Sequence, residues 1–225
     1  MARKASAAVA LAAAPLPGGT VVTITPPAFK TAVFEIVGTA PLVIHKFSQK
    51  TRDGFIEKHK LGSQTVKGKK REPRDFDAQY QQARHLSRDG WDGIPAAAFR
   101  IAMIDACRLV GFKMTMAKQA LFVEADGFDA DEGTPLVKIT GGKPRRLDMM
   151  ARNDDGGADI RVRPQWETWG ATVRVKYDSD LFSTQDVTNL LLRAGVQVGV
   201  CEGRPYSKKS AGMGWGTWTI KGKEA

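Results

Sequence analysis

Ala171-Thr-Val-Arg-Val-Lys-Tyr177, and after it Ser183-Thr-Gln-Asp-Val-Thr-Asn-Leu-Leu-Leu-Arg-Ala-Gly195, decide how this chain is read. The first run alternates apolar and polar residues, which at period two gives a strand with one buried face. The second is a helix: Ser183 caps its free N–H groups, Asp186 stands three residues on as in a capping box, and Gly195 supplies a left-handed stop. Val187, Leu190, Leu191 and Ala194 share one helical face. Beyond it come a short β-rich run, Val196 to Cys201, a glycine-studded basic loop, Glu202 to Gly214, and a second β-rich run, Trp215 to Ile220.

Working towards the N-terminus, Thr31 to Val37 is a strand by its β-branched and aromatic content. Leu42 to Ile44 extends it as an edge, and Asp75 caps a helix running to about Leu86. Pro95 opens a helix whose apolar stripe is Ala98, Phe99, Ala102, Ala106 and Leu109, ending at Gly111. Ala120 to Glu124 and Pro135 to Thr140 are strands, Met114 to Lys118 is ambiguous, and Gly141 to Arg163 has loop character. Strand 31–37, helix 95–110, strand 120–125, strand 171–177, helix 183–194 and strand 214–220 give the order β-α-β-β-α-β. The expected class is therefore α+β, a ferredoxin-like (RRM-like) core with large basic insertions at about 42–93 and 126–168. Residues 29–225 form one domain behind a flexible arm, 1–28, rich in Ala, Pro and Gly.

Totals narrow the function. With 225 residues and 42% apolar composition the chain can build an ordinary core, and no run approaches the roughly 20 apolar residues of a membrane span. Ala8 to Ala14 imitates a signal peptide, but alanine is weakly apolar and Pro15 disfavours cleavage there. Cys107 and Cys201 lack metal-ligand spacing and read as buried small hydrophobes, and free thiols suit a reducing, cytoplasmic setting. With three scattered histidines no metal site is expected, and no cofactor is implied.

Lys and Arg number 34 against 24 Asp and Glu, a net charge of +10, which suits a polyanion if the excess is local. It is. Lys46, Lys50, Arg52, Lys58, Lys60, Lys67, Lys69, Lys70, Arg71 and Arg74 face only Asp53, Glu57 and Glu72 in the same segment. Mobile cations beside a sheet bind a phosphate backbone without reading sequence. The expected nucleic-acid-binding residues are Lys46, Lys50, Arg52, Lys67, Lys69, Lys70, Arg71, Arg74, Arg145, Arg146, Arg204, Lys208 and Lys209. Tyr206 and Trp215 are the expected base-stacking residues. Trp166, Trp169 and Trp218 also lie near, with Trp218 and one of the other two weighed as core residues.

Gly212, Gly214 and Gly216 alternate with large residues, which lets one backbone approach another backbone or a phosphate. Neither the Walker nor the Rossmann spacing occurs, and the aromatic motifs of a base-reading RRM are missing. No catalytic residue is assigned. His45, His59 and His85 lie near the basic insertion, but the sequence gives none of them an orienting partner. Asp53, Glu57, Asp75 and Asp77 are interleaved with lysines and read as ion-pair partners.

Phe34-Glu-Ile-Val-Gly-Thr-Ala-Pro-Leu-Val-Ile-His45 and Gly212-Met-Gly-Trp-Gly-Thr-Trp218, set in this architecture from about residue 30 onward, resemble the RAMP superfamily of CRISPR effector proteins and, within it, the repeated backbone subunits. The ending also resembles small phage-encoded proteins of unassigned role. The resemblance implies non-catalytic subunits that stack along single-stranded nucleic acid, RNA before DNA, as a homo-oligomer without membrane contact. Two other classes stay open: a RAMP-type endoribonuclease using a histidine, and a phage structural or assembly protein whose arm and insertions grip neighbours.

Overall fold

The computed structural model describes residues 24–47, 53, 74–152, 156–206 and 212–222. The principal sheet is built on β1 (Phe29–Gly38) and β10 (Trp169–Asp178), antiparallel from Phe29↔Asp178 to Val37↔Gly170. β4 (Leu121–Glu124) lies outside β10 and β11 (Trp218–Ile220) outside β1, so the order is β11-β1-β10-β4 with every neighbour antiparallel. Period-two alternation sorts the faces: Phe34 with Val173 and Ile36 with Ala171 point inward, while Val33, Glu35, Thr172 and Arg174 point out.

The inner face is covered by α2 (Ala96–Leu109) and α4 (Thr184–Arg193), which also touch each other. Phe99, Ala102, Met103 and Ala106 of α2 and Val187, Leu190 and Leu191 of α4 are buried there. Each large side chain contributes roughly 1.5 to 3 kcal/mol by leaving water. Phe99 meets Trp218 edge-on at 5.5 Å. The stripe expected on α2 is right except at Leu109, which is exposed; the buried face turns instead through Met103 and Cys107. The ambiguous Met114 region is a helix, α3 (Met114–Ala120).

The capping box of α4 is present, with Ser183 Oγ accepting from the Asp186 N–H at 3.1 Å and Asp186 accepting from the Ser183 N–H at 2.9 Å. Its expected end is not. The chain runs past Gly195 into a π turn, Ala194–Val198, where the Gly199 N–H donates to the Ala194 carbonyl at 2.8 Å, and the left-handed residue is Gly199, φ 72°. Gly195 serves a different need: a Cβ there would lie 2.2 Å from the Trp218 carbonyl. Val196 to Cys201 is accordingly not a strand, and the last strand is only Trp218–Ile220.

A second correction falls between Gly141 and Arg163. Instead of a loop, β8 (Arg145–Arg152) and β9 (Ala158–Trp166) form a hairpin in register from Arg145↔Gln165 to Arg152↔Ala158, with β2 (Leu42–Val43) on the other side of β9. Both faces carry mixed residues, Leu147 opposite Arg163 and Met149 opposite Arg161 on one, Met150 opposite Ile160 on the other. With Met150 75% exposed, no one-sided burial leaves an alternating pattern in the sequence.

α1 (Phe76–Gln82) packs on β9 and is capped by Asp75, whose Oδ1 accepts from the Asp77 and Ala78 N–H groups. The helix is shorter than its expected end near Leu86. β3 (Gly93–Pro95), β5 (Gly127–Phe128) and β6 (Pro135–Lys138) make a third small sheet, and β7 (Thr140–Gly141) returns to pair with β10.

Candidate nucleic-acid interface

Residues 199–206 and 212–217 fold back on themselves because glycine permits it. The Val200 N–H donates to the Gly216 carbonyl at 2.9 Å, and the Gly216 N–H donates to the Pro41 carbonyl at 2.8 Å. A Cβ on Gly216, whose φ is 65°, would sit 2.0 Å from the Val200 carbonyl oxygen. Of the alternating glycines, Gly216 therefore serves contact between two backbones of the protein itself, whereas a Cβ on Gly214 would meet nothing within 4 Å. The Glu202 N–H donates to the Val43 carbonyl at 3.0 Å and so fixes the loop to β2. Cys201 takes φ 66°, left-handed without being glycine. Strain of this kind gathers at functional sites when the surrounding structure enforces it.

Beside this loop lies a buried ionic cluster. Lys46 Nζ is 2.8 Å from Asp129 Oδ1 and 2.7 Å from Asp131 Oδ2, and His85 Nδ1 is 3.0 Å from Asp129 Oδ2. Asp129 is fully buried and also accepts from the Asp131 and Glu132 N–H groups. Burial alone would raise its carboxyl, but the Lys46 ammonium, the backbone donors and His85 outweigh it and hold the group below the usual carboxylate range. Burial would lower Lys46, yet Asp129 and Asp131 outweigh that and raise it. For His85 burial prevails over the pull of Asp129, so the imidazole is depressed. An ionised Asp129 accepts a hydrogen bond from the Nδ1–H of a neutral ring, which leaves the Nε2 lone pair as acceptor.

His85 forms part of the wall of a pocket of about 210 Å³ between α2 and the π turn. Ile44, Ala98, Ile101, Ala102, Val198 and Val200 give it apolar sides, and His45, Asp105 and Arg204 add polar groups. Arg204 is braced by the Cys201 carbonyl at 3.0 Å and the Tyr206 carbonyl at 2.9 Å. His45 packs against Phe47, ring centroids 4.9 Å apart. Its pKa is lowered by partial desolvation and then by the charge of Arg163, with Arg161 adding to it. Burial pushes the Cys201 thiol up to about 12 and Cys107 up to about 11, so neither is a nucleophile near neutral pH.

Arg204 stands at the pocket just described, and the other residues expected to hold a strand fall into three groups. Lys46 is a correction: its ammonium is buried and committed to two carboxylates, so a phosphate cannot reach it without breaking that cluster. Arg74, Arg145 and Arg146 are surface groups with carboxylate partners, Arg74 with Asp159, Arg145 with Glu167, and Arg146 with Asp77 and Asp148. They lie on or against the β8–β9 hairpin, where the Arg74 and Arg146 guanidinium groups both lie over the Phe76 ring, 5.4 and 5.5 Å from its centroid. Lys50, Arg52, Lys67, Lys69, Lys70, Arg71, Lys208 and Lys209 lie outside the described residues, as do His59 and Glu57.

Tyr206 is 41% exposed and its hydroxyl accepts from Arg108 at 3.0 Å. Trp215 is half-buried with its ring against Gly203, closing the loop and leaving part of one side open. Trp166, Trp169 and Trp218 are all core, so none of the three stacks on a base.

Sequence reasoning missed Arg161, Arg163, Asp105 and the His85–Asp129 pair. Asp129 lies 44 positions from His85, in an acidic turn that gives no sign of its partner. Among the described residues no group of His, Cys, Asp and Glu can hold a metal, and no helix is long and apolar enough to cross a membrane. Neither the scan against family models nor the search of curated proteins found a match for the chain.

Proposed function

We propose that this protein binds single-stranded nucleic acid, RNA before DNA, through phosphate contacts and multimerises along the strand, on a ferredoxin-like core of RAMP type. The core reading is supported by the order β11-β1-β10-β4, antiparallel throughout, with α2 and α4 on one face. One observation carries the binding reading: both cationic segments spring from the margins of one surface. The segment holding Lys50 to Arg71 leaves after Phe47, beside His45, and rejoins near Arg74, whose guanidinium donates to Asp159 and to the Ile160 carbonyl on β9. The segment holding Lys208 and Lys209 leaves after Tyr206 and rejoins at Gly212, against Pro205, in the loop tied to β2. Near His45 lie Arg161 and Arg163, the latter paired with Glu202, and Arg204 shares the pocket wall with His45. Cations from several segments then converge on one strand, the arrangement that counterion release rewards.

Binding without catalysis is favoured by the histidines. General acid–base cleavage needs one group to take a proton and another to give one, and His45 and His85 are both depressed towards the neutral form.

Fluorescence anisotropy with a labelled single strand across a salt series tests the proposal. Neutralising Lys67, Lys69, Lys70 and Arg71 together weakens binding alike for all sequences and reduces the slope of log affinity against log salt by about 0.7 for each phosphate set free. An unchanged slope removes that segment from the site. Sizing the purified protein before and after nuclease addresses assembly. Oligomers that survive nuclease favour the phage-assembly reading, and shortening of the labelled strand favours the ribonuclease.

A further inference from the structure

Resting on that reading, we propose that the pocket between α2 and the π turn is a nucleobase site, accepting one unstacked base that presents an exocyclic amine, as adenine does. Three features of the pocket lead there. Its walls, among them Ile44, Ala98 and Val200, are apolar and supply the dry surfaces that a base's faces need. His85 is only 8% exposed, yet Nδ1 is its single bonded nitrogen, so Nε2 has no partner at the pocket wall. With Nδ1–H donating to Asp129, Nε2 can only accept a hydrogen bond. Asp105, half-buried on the α2 side, adds a carboxylate with no hydrogen bond or ion pair among the described residues.

Two acceptors in an apolar cleft call for a ligand edge that donates. Adenine offers the two hydrogens of its exocyclic amine. Uracil puts a carbonyl oxygen at the corresponding position, and an acceptor facing two acceptors leaves all of them unpaired. Cytosine has the amine on a single ring and fills less of the pocket's 210 Å³. Arg204, braced at the pocket edge, sets a positive charge where the phosphate of an inserted nucleotide would remain.

The test uses the full chain with labelled oligo(A) and oligo(U) of equal length, each across the same salt series. Native protein binds oligo(A) about tenfold more tightly than oligo(U), the order of one good hydrogen-bonded base contact, with parallel salt slopes. Ile101 lines the pocket yet is 51% exposed, so Ile101→Trp fills the pocket from the solvent side without touching the core. That variant binds both strands at the oligo(U) level with the slope unchanged. Asp105→Asn reduces the preference and leaves oligo(U) binding as it was. Equal affinity of the native protein for the two strands, at equal slopes, overturns the pocket assignment and leaves phosphate binding standing. A preference that persists in Ile101→Trp also overturns it. Failure of both strands to bind at low salt overturns the nucleic-acid reading itself.

Discussion

Asp129 is the residue on which most of the local order converges. It holds Lys46, orients His85 and closes its own turn through two backbone N–H groups, all while fully buried. Removing one member of a buried pair strands the other's charge, a loss of about 3 kcal/mol or more, whereas an exposed pair such as Arg146 with Asp148 is screened by water and contributes far less. Lys46→Met should therefore lower the urea midpoint far more than Arg146→Ala, and comparable small shifts for both would mean that water reaches the cluster. The histidines add a pH dependence of definite sign. His45 and His85 have folded values below the ordinary 6.5, so between those values and 6.5 the unfolded chain binds more protons. Stability is full above pH 6.5 and declines as the pH falls through the depressed folded values. The contribution of Asp129, also depressed, goes only at lower pH still, and that of Lys46, which is raised, only as strongly alkaline pH passes its folded value. Melting at about pH 5 should come below melting at about pH 7.5, by less in His85→Gln, and equal melting temperatures would contradict the depressed imidazoles.

At the scale of elements, the join from α4 to the π turn and the last strand is set by close backbone approach. Ala at Gly195 would force its Cβ against the Trp218 carbonyl, and overpacking of this kind costs about 1 to 3 kcal/mol. Gly195→Ala should destabilise the fold by that amount, measured by thermal or urea unfolding. Had Gly195 been the left-handed helix stop that its position suggests, the same substitution would cost little beyond local strain at the helix end. Sequence shows where a glycine stands but not which backbone comes near it, so the requirement at Gly195 was legible and its reason was not. The same limit separates the readable elements from the rest. β1, α2, β4, β10 and α4 bury one face each and write that face into their periodicity. The β8–β9 hairpin buries little along its outer half, so Met150, Ile160 and Arg161 leave no rhythm to find. Lys46 looked like its basic neighbours because the carboxylates that claim it stand more than 80 positions away.

For the whole molecule, the proposed binding turns on which of two faces would meet a strand. Among the described residues the outer face of the principal sheet is left uncovered, with Val33 61% exposed and Lys176 over the Phe29 ring at 5.1 Å. The proposed RRM-like plan would make that face one place for a nucleic acid. The opposing surface is the one bounded by β9, the end of β2 and the glycine-bearing loop, from which both cationic segments arise. Each face has paired cations and one that no carboxylate holds. On the sheet face Arg174 is paired with Asp126 and Lys221 with Glu35, while Lys176 has the Phe29 ring beside it and no ion-pair partner among the described residues. On the other surface Arg163 is paired with Glu202 and Arg74 with Asp159, while Arg161 has no ion-pair partner among the described residues and its charge is felt at His45. A strand held there should have one phosphate fewer neutralised in Arg161→Gln, with the salt slope falling by about 0.7, while Lys176→Gln leaves both slope and affinity unchanged. Anisotropy on the two variants, each checked for a native melting temperature, gives the answer directly. If Lys176→Gln carries the loss and Arg161→Gln does not, the strand runs across the sheet, and neither the rim cations nor the pocket beside them takes part in binding.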